Sequence, residues 1–79
     1  MNLYKLSQTE NDDYDTYDSC IVAEVSEELA AKVHPDSRGW VKRNFPVWAS
    51  TPNGVYVELI GTASPGTKPG VILASFNAG

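Results

Sequence analysis

Seventy-nine residues suffice for a single small domain near the lower limit of what one hydrophobic core sustains, where burial supplies only about 3–5 kcal/mol net and self-association is a common supplement. A single cysteine, Cys20, and a single histidine, His34, exclude an intrachain disulfide and a Cys/His zinc site. The net charge of −4 is unevenly spread: residues 1–30 carry eight acids and one lysine, and residues 31–79 five bases and two acids. Such a balance disfavours long duplex nucleic acid, whose affinity rests on neutralising many phosphates.

In chain order, Asn2 to Gln8 alternates as a first strand with Tyr4 and Leu6 on one face. Glu10 to Asp18 holds half of the acids among turn-forming Asn, Asp, Ser and Thr, and predicts an enlarged hairpin tip. Cys20 to Val25 is a second strand rich in β-branched residues. Ser26 is set to cap a helix of about two turns with Glu27 and Glu28 in its first turn, ended by Pro35 after His34.

From Pro35 to Gly54 periodicity fails, and Pro, Gly and Asn punctuate Trp40, Val41, Phe45, Val47 and Trp48; ordered loops of this length are often functional. Val55 to Ile60 is a third strand with Val55, Val57 and Leu59 on one face. Ser64 to Gly70 predicts a hairpin loop into a last strand, Val71 to Phe76, which is apolar on both faces and so belongs at the centre of a sheet or at an oligomer interface. The expected fold is α+β: one domain over residues 1–79, with a small antiparallel sheet in ββαββ order and one short helix on one face.

The candidate chemistry lies in two stretches. Between Lys32 and Trp48, the cations Arg38, Lys42 and Arg43 are suited to phosphate oxygens, and Trp40 or Trp48 to stacking on a base, at ~1–3 kcal/mol per stacked base. The plainer alternative is that Trp48, Phe45 and Val47 plug the sheet while the cations are solvated. In the acidic stretch, Tyr14, Asp15 and Tyr17 offer aromatic and anionic contacts, either beside a ligand or as a surface imitating nucleic-acid phosphate on a partner protein. Asp13, Asp15 and Asp18 miss the calcium-loop register, since Tyr17 takes a ligand position and Asp18 the place of its glycine. No metal and no cofactor is expected.

His34 is read as a helix-end residue and Cys20 as a small buried hydrophobe. The glycines form no phosphate-binding fingerprint, and no nucleophile–base pair can be assembled. No enzymatic activity is expected. No apolar run approaches the ~20 residues of a membrane span, and the N-terminus lacks the features of a signal peptide, so a cytoplasmic location is expected.

Several strings together resemble a family of small accessory proteins encoded by bacteriophages and prophages. They are Asn2-Leu-Tyr-Lys-Leu-Ser-Gln-Thr-Glu10, Tyr14-Asp-Thr-Tyr-Asp-Ser19, Ser26-Glu-Glu, His34-Pro35, Trp48-Ala49 and the terminal Gly70 to Gly79. The resemblance spans the chain, and with it the expectation of a complete protein. It carries no site residues, but it implies a product made inside an infected bacterium. In that setting the expected role is non-enzymatic: sequestering a small anionic, nucleotide-like ligand as a homo-oligomer in counter-defence. The alternatives are an acidic decoy that inhibits a host protein directly, or a minor structural component of the virion.

Overall fold

The structure, a computed structural model, describes residues 1–36, 38–42 and 44–77. Its elements are β1 (Asn2–Ser7), β2 (Thr16–Glu24), α1 (Glu27–Ala31), a 3-10 turn (Pro52–Gly54), β3 (Tyr56–Thr62) and β4 (Gly70–Asn77). The strands form an antiparallel sheet in the order β3-β1-β2-β4, and α1 packs on one face, which is the expected α+β, ββαββ arrangement.

Strand alternation explains the core. Two rows of register partners cross the sheet on the helix side: Val57–Leu6–Cys20–Ala74 and Leu59–Tyr4–Val22–Val71. Their central members, Leu6, Cys20, Tyr4 and Val22, are buried, while the edge strands leave Leu59 and Val71 exposed. Ala30 from α1, together with Trp48 and Ala49 from the long loop, completes the cluster, with Val33, Val47, Val55 and Val57 packed around it. On the other face the row Glu58–Lys5–Ile21–Leu73 sets opposite charges side by side on β3 and β1. Burial holds the Cys20 thiol in its neutral form, pushing its pKa up to about 11.

Three sequence expectations are corrected. The stretch 64–70 is not a hairpin loop: β3 and β4 lie at opposite edges of the sheet, and residues 63–69 run beneath the ends of β1 and β2 to join them. A hydrogen bond from Ala63 N to Met1 O, 3.0 Å, pins the start of that crossing. Three strand spacings of about 4.8 Å are well within the reach of seven residues, so the two outer strands join without being neighbours.

The second strand begins at Thr16 and not at Cys20. Residues 16–19 pair with Ser75–Asn77 of β4, and Tyr17 N donates to Val47 O at 2.8 Å; distant partners override local turn preference. The helix ends at Ala31, one turn early. Its last bonds, Lys32 N to Leu29 O and Val33 N to Ala30 O, tighten to i→i−3 spacing, and the residue before Pro35 is driven out of helical conformation.

Glycines stand where φ is positive: Gly66 (86°) in the crossing, Gly70 (123°) where the chain enters β4, and Gly39 (71°) in the long loop. Gly54 is different, because its φ is not positive. A Cβ there would meet the end of the exposed Glu10 side chain, which must swing aside, and sit 3.3 Å from Ala49 Cβ, so a larger residue would displace Glu10 from its place beside Ser50.

Candidate functional site

Residues 36, 38–42 and 44–50 build the site from a sequence of local constraints. Asp36 Oδ1 accepts from Arg38 N (2.9 Å) and Asp36 O from Gly39 N (2.9 Å), closing a tight turn that Gly39 completes in the left-handed region. Asp36 N donates to His34 Nδ1, also at 2.9 Å, fixing where the turn leaves the helix.

The turn brings Trp40 back over the end of α1. Its Nε1 donates to Lys32 O at 2.7 Å, satisfying a helix-terminal carbonyl. The imidazole of His34 stands edge-on to Trp40 (centroids 4.9 Å, planes at 90°) and to Trp48 (6.4 Å, 63°). One His between two indoles makes a short aromatic row at the base of the loop.

Two concavities flank Lys42, which lines both. One, about 310 Å³, is walled by Trp40, Trp48, Val41, Pro46, Ala49 and Ser50. The other, about 410 Å³, is more polar and is lined by Asp36, Arg38, Asn44, Phe45 and Val47. Both volumes fall in the lower part of the range of small-molecule sites. Trp48 is 1% exposed, yet its Nε1 has no hydrogen-bond partner among the described residues. An unmade bond at a buried N–H costs roughly 1–3 kcal/mol. Phe45 is 85% exposed, so it does not plug the sheet as the alternative sequence reading required, whereas Trp48 and Val47 do pack there.

The acidic stretch is organised by a residue the sequence reading did not single out. Gln8, buried at the end of β1, donates through Nε2 to Asn11 O (2.6 Å) and Tyr17 O (3.1 Å), and accepts from Asn11 N (2.9 Å). Asn11 Nδ2 then donates to Trp48 O at 2.7 Å. Glu10 accepts from Ser50 Oγ at 3.1 Å and more weakly from Ser50 N at 3.4 Å. These bonds lace the first half of the acidic stretch to the wall of the apolar concavity. Only the paired geometry reveals them; a Gln at a strand end carries no sequence signal of such a role.

The candidate residues therefore divide. Arg38, Trp40, Lys42 and Trp48 come together around the two concavities; Arg43 lies outside the described residues. Tyr14 and Asp15 are exposed at the hairpin tip and line neither concavity, Asp15 with a left-handed φ of 61° that Asp tolerates better than most residues. Tyr17 is in β2, not at the tip, half-buried and edge-on to Phe76 at 4.8 Å. Among the described residues no three His, Cys, Asp or Glu side chains converge as metal ligands, and no helix is long and apolar enough to cross a membrane. Comparisons with protein-family models, with curated proteins and with solved structures find no match.

Proposed function

We propose that the chain is a small, non-enzymatic binding protein of bacteriophage or prophage origin that sequesters a compact anionic, nucleotide-like ligand. It would act in the cytoplasm of the host bacterium as a homo-oligomer, in counter-defence. The observation that carries this reading is the position of Lys42 between an indole-walled concavity and a polar one that also holds Arg38. In this reading a planar base lies against Trp40 in the first, since Trp48 is buried and offers no free face, a phosphate sits in the second, and the ammonium is shared between them. Asp36 also lines the polar side. Its Oδ1 already accepts from Arg38 N, which directs part of its charge into the turn.

Native mass spectrometry on protein purified gently from an expressing cell tests the reading, with an infected-cell extract added in parallel. A discrete added mass of a few hundred daltons per chain supports it, and release of that mass identifies the ligand. Lys42→Ala is expected to weaken binding by about 1.5–3 kcal/mol, the cost of a lost charge-assisted bond. Substituting Asp12 and Asp13 with Asn is expected to leave that binding unchanged.

A second reading rests on a separate observation: Tyr14 is 69% exposed at a tip where Asp12, Asp13 and Asp15 are also exposed. An aromatic anchor among carboxylates suits a decoy for a basic, nucleic-acid-binding groove on a host protein. In that case the Asp12 and Asp13 substitutions abolish capture of one host protein, and Lys42→Ala does not. Assembly with virion parts alone, insensitive to both, would favour a structural role.

A further inference from the structure

The four strands differ in one respect that bears on assembly. β1 carries Lys5, β2 carries Asp18 and Glu24, and β3 carries Glu58, but β4 (Gly-Val-Ile-Leu-Ala-Ser-Phe-Asn) carries no charge and no proline. The same strand is an outer edge of the sheet, paired on one side only, to β2. It exposes Val71, Ile72, Leu73 (67%) and Phe76. Edge strands in isolated domains are ordinarily blunted by charge, proline or a cover, because their free N–H and C=O groups template further pairing. β3, the other edge, is guarded by Glu58; β4 has neither charge nor proline, and its one irregularity, the extra residue Ile72, lies toward its start and leaves residues 73–77 open.

We infer that β4 is the contact edge between two copies of this chain, joined antiparallel about a twofold axis at Ala74 into one continuous eight-stranded sheet. Two features point to a second copy and not to an unrelated strand. First, the edge is self-complementary. That axis pairs Ala74 with its own copy, Leu73 with Ser75, Ile72 with Phe76 and Val71 with Asn77, so each residue meets a small, apolar or uncharged partner, as a twofold contact requires. Two chains of net charge −4 meet at the one strand where no like charges face each other.

Second, the strand ends are electrostatically complementary. Lys68 precedes the start of β4 by two residues. At its far end, Asn77 Nδ2 donates to Asp13 O, and Asn77 O accepts from Asp15 N, which holds the acidic tip against that end. Antiparallel pairing sets the Lys68 end of each copy beside the Asp13–Asp15 end of the other, twice per dimer. The pairing gives a surface to the self-association included in the reading above, while ligand capture depends on a different face.

Sedimentation velocity and hydrogen exchange on the full chain, from micromolar to millimolar concentration, test the inference. The wild-type protein is expected to be a dimer or a multiple of one. Leu73→Lys should halve its mass while far-UV circular dichroism is unchanged, because the side chain is already solvent-facing in the single chain. Lys68→Glu should shift dissociation to at least tenfold higher concentration, and Leu59→Lys on the opposite edge should leave the mass as it was. On unmodified protein, amides of residues 70–77 should gain protection with concentration more than those of β3, which decides the matter even if Leu73→Lys misfolds. A monomer at every concentration, an oligomer indifferent to Leu73→Lys, or protection gained on β3 would each overturn the inference. Added ligand mass on a Leu73→Lys monomer, or its loss in Lys42→Ala with the dimer intact, separates this inference from the binding reading.

Discussion

Trp48 shows how one side chain serves both stability and site. Its ring fills the space above Leu6, Cys20 and Val22, and its indole N–H is buried without a partner among the described residues. Trp48→Phe removes that donor and some ring volume, two effects of opposite sign. Relief of an unpaired donor is worth about 1–3 kcal/mol, and a trimmed core ring costs a similar amount through the cavity it leaves. Urea titration is therefore expected to place Trp48→Phe within about 1 kcal/mol of wild type, while Trp48→Ala loses about 3–5 kcal/mol. A large loss in the Phe variant would mean that the N–H is hydrogen-bonded after all. Cys20, by contrast, is chemically inert: with its pKa pushed up to about 11, almost no thiolate exists near neutral pH.

Among the elements, α1 is the weakest. Five residues form too few internal bonds to stand alone, and Ala30 is the residue it buries. Its start is held by Ser26, whose Oγ accepts from Leu29 N at 3.3 Å, and its end by Trp40 Nε1 on Lys32 O. Ser26→Ala is expected to lower stability by about 0.5–2 kcal/mol in a urea titration, the usual worth of an N-cap. The effect should reach the site, because the turn that carries Trp40 docks on Lys32 O, just past the last residue of this helix; fluorescence in a Trp48→Phe background, where Trp40 is the remaining indole, would show it beside the unfolding curve. The capping Ser and the acidic first turn were legible from spacing alone. The one-turn shortening was not, because it depends on which carbonyls the incoming loop satisfies.

For the whole molecule, charge and edge make opposite demands of salt. Ligand capture by Arg38 and Lys42 depends on exposed cations, and screening weakens it as the Debye length shrinks from about 30 Å at 0.01 M to about 10 Å at 0.1 M. Self-association through β4 brings together two bodies of charge −4, and screening relieves their repulsion. Raising salt over that range should therefore weaken ligand binding, followed by calorimetry, and strengthen the dimer, followed by sedimentation. A dimer that weakens with salt would instead place the Lys68 to acidic-tip contact above β4 itself in importance.

The local elements are legible along the chain: alternation marks the strands, Ser26 and the acids after it mark the start of the helix, and the crowding of acids, bases and indoles marks the two stretches that carry candidate chemistry. Those properties depend on residues a few positions apart, so they can be read along the chain. The tertiary structure alone decided that β3 and β4 are opposite edges, that Thr16 to Ser19 join β2, that Phe45 is exposed while Trp48 is buried, and that Gln8, Glu10 and Asn11 bind the acidic stretch to the loop. Each of those outcomes turns on partners many residues away. Tyr17 could be placed only with Val47 and Phe76 beside it, and the unguarded edge of β4 only once its neighbour in the sheet was known.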